Sequence, residues 1–169
     1  MGRIDELFPA LSGKDKALVE AAYDIASKAL EGETRSNGTP FIDHAEKVAK
    51  IAFEEIGLGP ECIAAVFLHE ATRGRPDGSL IPPGVFARDI LAMVDGLNKI
   101  ATIKPKDTRL EADNYKKLIV SYSTDPRVVV LKLADRLEVM RSLELFPKAS
   151  RERKQLETLL LYIPLAHQL

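Results

Sequence analysis

Ile63-Ala64-Ala65-Val66-Phe67-Leu68-His69-Glu70 is the stretch on which the reading of this chain turns. Six apolar residues run without alternation into a histidine and a carboxylate, just behind Gly59-Pro60. Proline in a first helical turn gives up only an N–H that has no partner there, so the run reads as a helix that starts at residue 60. On that helix His69 follows Val66 by three residues and Ala65 by four, which puts the imidazole on the apolar side. Burying such groups without a use for them is costly.

The same pattern occurs twice more. His44 lies three after Phe41 and four before Val48, and Asp135 lies four after Leu131 and four before Val139. Three helices therefore aim an imidazole, an imidazole and a carboxylate at the interior, and Glu70 could complete the set. Imidazole nitrogen with carboxylate oxygen is the donor mixture that suits Zn, Mn or Fe. A structural reading stands beside it. A histidine on an apolar face is often a hydrogen-bonded core residue, and Asp135 could pair with Arg136, Arg141 or a helix end. Periodicity alone leaves both open.

Outward from these segments the punctuation is helical throughout. Thr39-Pro40 and Asp125-Pro126 repeat the Gly59-Pro60 start, and apolar residues recur at helical spacing, as in Tyr115, Leu118, Ile119 and Tyr122. The expectation is an all-α fold of about seven helices, at roughly 13–30, 40–56, 60–73, 83–95, 111–123, 126–142 and 150–169. Arg127-Val128-Val129-Val130-Leu131 is β-branched enough for a buried strand, but the Asp125-Pro126 cap and the continuation through Leu133, Ala134 and Leu137 favour helix. Gly74 to Pro82 and Ile103 to Leu110 read as loops, the second the more mobile.

At 169 residues and 46% hydrophobic content the chain reads as one domain with a substantial core. The 24 Lys and Arg nearly balance 25 Asp and Glu, which supplies no counterion-release drive toward nucleic acid and no polybasic membrane footprint. The sole cysteine, Cys62, excludes an intrachain disulfide and fits a buried thiol in a reducing compartment. With no apolar signal core at the N-terminus, the expected location is cytoplasmic. The apolar pattern Leu159-Leu160-Leu161-Tyr162-Ile163-Pro164-Leu165 near the C-terminus, with no glycine cap or polar tail, suggests a piece of something longer.

These segments resemble the histidine-aspartate (HD) phosphohydrolase superfamily, and within it the hydrolase domain of the RelA/SpoT enzymes that make and degrade (p)ppGpp. Arg35-Ser36-Asn37-Gly38-Thr39-Pro40-Phe41-Ile42-Asp43-His44 is similar to the family's opening motif, residues 63–70 to its His-Asp segment, and Val128 to Leu137 to its Leu-Ala-Asp-Arg segment. Glu157 to His167 resembles the helix leading into the synthetase domain, which gives His167 an interdomain place rather than a ligand's. The resemblance implies an HD-domain helical fold. It also implies an Mn site at His44, His69, Glu70 and Asp135, which need not be filled here, and a guanine nucleotide (ppGpp, GDP or GTP) near Arg35, Lys132, Arg136 and Ser142. A synthetase domain would follow in the same chain.

The match departs from the family at the chemistry. Arg73 and Gly74 stand where active members carry a Glu-Asp pair, so no catalytic residue is assigned. One positioned acid or base contributes typically ~100- to 10,000-fold in rate, and Arg73 also sets a fixed positive charge that repels a divalent cation. Glu70 replaces the expected aspartate and reaches about 1.5 Å further, while Val139 replaces an asparagine at the nucleotide side. The sequence therefore predicts hydrolysis lost or very weak, metal binding weakened or absent, and a regulatory role in the stringent response. Its alternative is an active Mn-dependent (p)ppGpp 3′-pyrophosphohydrolase.

Overall fold

The computed structural model describes residues 2–75, 78–102, 117, 120 and 124–167. These residues are helical, with no strand among them beyond one isolated antiparallel bridge between Thr34 and Pro40. In chain order the helices are α1 (Arg3–Leu7), α2 (Gly13–Ala29), α3 (Phe41–Lys50), α4 (Pro60–Thr72), α5 (Arg88–Ala101), α6 (Pro126–Arg141), α7 (Lys148–Glu157) and α8 (Ile163–His167). Helix α3 continues into a π-helical stretch, Ile51–Ile56, and a second such stretch, Thr158–Tyr162, joins α7 to α8.

Helix α4 is the centre of the fold, and every residue from Cys62 to Thr72 is buried. Helices α2, α3 and α5 pack directly on it, and α6 lies across α3 and α5. Edge-on aromatic contact between Tyr23 and Phe67, 5.3 Å between centroids, locks α2 to α4. The N-terminal segment is held by charge. Glu46 on α3 accepts from Arg3 Nη2 at 2.6 Å and from the Tyr23 hydroxyl at 3.1 Å, so a buried carboxylate ties α1 and α2 to α3.

The Val-rich segment 127–131 is helical, inside α6. Asp125 caps it by accepting from the Arg127 N–H at 3.0 Å, with Pro126 in the first turn. Three expectations need correction. The helix expected at 83–95 begins at Arg88 and ends at Ala101, because Pro82-Pro83-Gly84, with Gly84 at φ +76°, turns the chain before helix can start. The helix expected from 150 begins at Lys148, directly behind Pro147. A short helix, α1, also precedes the first one expected. The helix expected at 111–123 and the loop at 103–110 lie outside the described residues, apart from residues 117 and 120. No helix among the described residues is long and apolar enough to cross a membrane.

Gly96 shows how closely α5 meets α6. A Cβ there would stand 3.0 and 3.2 Å from the two Val128 methyls. Alanine is favoured over glycine in a helix by about 1 kcal/mol, yet here it would press on a buried valine. Gly96→Ala should lower the denaturant midpoint, whereas in a Val128→Ala background the same change should raise stability by about 1 kcal/mol. Paired denaturation curves check it.

Candidate metal centre

Helices α3, α4 and α6 bring His44, Glu70 and Asp135 to one buried point, with His69 against the Glu70 carboxylate. One ligand atom each from His44, Glu70 and Asp135 lies within 4.8 Å of the others. His44 Nε2 is 3.4 Å from Asp135 Oδ1 and 3.6 Å from Glu70 Oε1, and His69 Nε2 is 3.7 Å from the same Glu70 oxygen. The two Glu70 separations are too long for hydrogen bonds, and the His44–Asp135 contact lies at the long limit of one. Two donors sharing one ion at about 2.1 Å each stand roughly 3–3.5 Å apart, close to the separations observed.

The hydrogen-bond accounts point the same way. Neither oxygen of Glu70 has a partner, and neither does His69 Nε2, although all three atoms are fully buried. A buried carboxylate with nothing to accept from is among the costliest arrangements in a protein interior. A divalent cation satisfies all three atoms at once, so the residues present fit one. The longer arm of Glu70 is accommodated, since its carboxylate stands between the two imidazoles. The reverse edges of both rings are fixed: His69 Nδ1 is 2.8 Å from Asn98 Oδ1, and His44 Nδ1 contacts the Glu138 carboxylate.

Beside the centre lies a cleft of about 210 Å³ with Asp135 and His44 in its wall and five cationic side chains, Arg35, Arg73, Lys132, Arg136 and Lys154, around it. Arg35 Nη1 is 2.8 Å from Glu138 Oε1, and its guanidinium lies 5.1 Å from the Phe146 ring centroid. Arg136 pairs with Glu157 at 3.1 Å and stacks over Tyr162, leaving its buried Nη1 without a partner. Ser142 is not in this group. Its hydroxyl donates to Glu138, and it lines a separate groove with Lys47 and Lys50. Arg73 caps the end of α4, and Gly74 follows in the left-handed region at φ +72°. Glu70, Arg73 and Gly74 share a second hollow with Glu33, whose carboxylate is held by Arg75 at 2.6 Å.

Sequence reasoning missed Glu138, Asn98, Phe146 and Lys154. Glu138 was findable, because it follows Asp135 by three residues on a helix and so faces the same way. Nothing local marks Asn98, which reaches His69 across 29 residues.

The family model described as HD domain matches residues 22–169. Among curated relatives, the chain is 34% identical over 151 residues to the GTP pyrophosphokinase of Streptomyces coelicolor, covering 89% of this chain and 18% of that protein. It is 37% identical over 149 residues to the bifunctional (p)ppGpp synthase/hydrolase SpoT of Escherichia coli K12, covering 88% and 21%. It is 34% identical over 151 residues to the guanosine-3′,5′-bis(diphosphate) 3′-pyrophosphohydrolase of Aquifex aeolicus, covering 89% and 21%. The chain spans about a fifth of the length of these relatives.

The two histidines titrate in opposite directions. Burial alone would depress His44, but Asp135, Glu138 and Glu70 outweigh it and raise its pKa to about 9. Burial dominates at His69 and lowers it. Asp135 is held well below the usual range against its burial by Lys132 and His44. In chelator-treated protein the His44 contribution is full below the unfolded value near 6.5 and is lost as pH rises toward 9. His69 acts oppositely, because the unfolded chain takes up a proton below about 6.5 that the buried ring refuses. The urea midpoint in chelator should therefore be greatest near neutrality and fall on both sides; a midpoint still rising at pH 9 would contradict the assignment.

Proposed function

Because the chain belongs to the HD domain family, we propose that it is the hydrolase-like domain of a RelA/SpoT-type (p)ppGpp protein, with its metal pocket kept and its hydrolytic use lapsed. The observation that carries this reading is Arg73. It fronts the same hollow as Glu70 and also lines the cleft that holds His44 and Asp135. A permanent cation thus stands where a water-activating carboxylate is needed, and Gly74 beside it has no side chain to help.

In this reading His44, His69, Glu70 and Asp135 hold a divalent cation such as Mn. When bound, that ion supplies Lewis-acid polarisation of a phosphoryl oxygen. Arg35, Lys132 and Arg136 receive the anionic groups of a guanine nucleotide (ppGpp, GDP or GTP), their planar or ammonium donors suited to phosphate. The domain binds without turnover and passes its state to a synthetase domain of the same chain, as a regulator in the stringent response.

One observation favours a second reading, an active Mn-dependent 3′-pyrophosphohydrolase. Glu33 lines the hollow with Glu70 and Arg73 and could serve as the base in place of the missing pair. Its ion pair with Arg75 weighs against that use, since a carboxylate held by a guanidinium is a poorer base.

Incubated with ppGpp and Mn, the domain should release no pyrophosphate above a protein-free blank. Turnover comparable to an intact relative overturns the first reading, and its loss in Glu33→Gln would then establish the second. Combining Glu70→Asp, Arg73→Glu and Gly74→Asp should raise Mn affinity and restore some hydrolysis. There is open space for the new Gly74→Asp side chain, and aspartate tolerates the left-handed backbone for about 1 kcal/mol. No gain in either quantity would place the defect elsewhere.

A further inference from the structure

We propose that Glu138 is a positioning residue for the metal centre, which fixes the His44 ring so that Nε2 faces Glu70 and Asp135 and, in the neutral ring, carries the lone pair. The inference rests on the metal reading above and adds a residue to it. Glu138 sits one helical turn beyond Asp135 on α6, only 2% exposed, so a single helix face supplies both a carboxylate of the centre and the carboxylate behind it. Both of its oxygens are engaged. Oε1 meets His44 Nδ1 and, at 2.8 Å, Arg35 Nη1, and Oε2 accepts from the Ser142 hydroxyl. That same hydroxyl is 2.9 Å from the Glu138 carbonyl oxygen, which keeps Ser142 and the carboxylate in register.

A carboxylate held by Arg35 at one oxygen and by Ser142 at the other cannot rotate to meet the ring; the ring must meet it. An imidazole that donates Nδ1–H to an acceptor has its lone pair on Nε2, the atom aimed at the centre. His69 is the internal comparison. Its Nδ1 is held by the Asn98 amide oxygen at 2.8 Å, a neutral acceptor that orients the ring without charging it. Asn98 is in turn fixed by its own amide donating to the Thr72 hydroxyl at 3.0 Å. The two rings are thus preset by different chemistry, an anion for one and an amide for the other. Through Arg35 the same carboxylate also reaches the wall of the cationic cleft.

The test uses the chain labelled with 15N-histidine, with Mn as the only added ligand. In chelator and alkaline solution, where both rings are neutral, ring-nitrogen shifts should show the Nδ1–H form for His44 and His69 alike. Glu138→Leu should move His44, and not His69, toward the Nε2–H form, and should weaken Mn binding by calorimetry about 10- to 100-fold, as is typical for loss of such a partner. Glu138→Gln keeps an oxygen acceptor without the charge. It should retain the His44 form while losing part of the Mn affinity, so it tests the inference even if the leucine variant does not fold. A His44 ring form and Mn affinity equal to wild type in a folded variant would overturn the inference, as would equal shifts at both histidines. If wild-type protein takes up no Mn, the metal reading fails by itself, and the ring forms still decide the role of Glu138.

Discussion

Helix α4 is buried from Cys62 to Thr72, and its last turn carries His69 and Glu70 into a place water does not reach. Taking a carboxylate out of water costs several kcal/mol unless something replaces the lost solvation. Everything around that turn follows from this cost. Helices α3 and α6 deliver His44 and Asp135 to it, Asn98 and Glu138 brace the two rings from behind, and ligand atoms of His44, Glu70 and Asp135 stand within 4.8 Å of one another. A domain that had lost all use for the centre would gain by replacing these groups with apolar ones of similar volume, a change that is often neutral or stabilising.

Charge divides the site into an interior and a rim. The interior points are paired acid against base, so His44 is surrounded by Asp135, Glu70 and Glu138. The rim is cationic, with Arg35, Lys132, Arg136 and Lys154 joined by Arg73. An anionic ligand is drawn to such a rim, and its attraction does not depend on a base. Anion attraction at the rim is spread over several residues, whereas in the proposed reading turnover hangs on the one or two positions held by Arg73 and Gly74.

Much of this was legible in the sequence. The apolar run behind Gly59-Pro60 and the Asp125-Pro126 cap gave helices with the right inward faces, because proline and cap chemistry act locally. The inward spacing of His44, His69 and Asp135 was visible in the sequence, and in the fold His44, Glu70 and Asp135 meet, with His69 beside Glu70. The start of α5 was not, because the turn at Pro82-Pro83-Gly84 displaces the helix and the apolar period does not register it. The parting of Ser142 from the cleft was hidden too. Its hydroxyl is captured by Glu138 on its own helix end, an event of side-chain geometry with no periodic signature. The resemblance places Arg35 near a nucleotide, and only the fold shows it held by Glu138 and Phe146.

Whether His44, His69, Glu70 and Asp135 hold one ion together is the point on which the proposed function rests. The most direct measurement is a crystal grown with Mn and recorded at a wavelength where manganese scatters anomalously. The account predicts a single anomalous peak within coordination distance of His44 Nε2, His69 Nε2, Glu70 and Asp135, with Arg73 turned away from it. A map without a peak there, with the Glu70 carboxylate paired to Arg73 or to a protonated histidine, would contradict it.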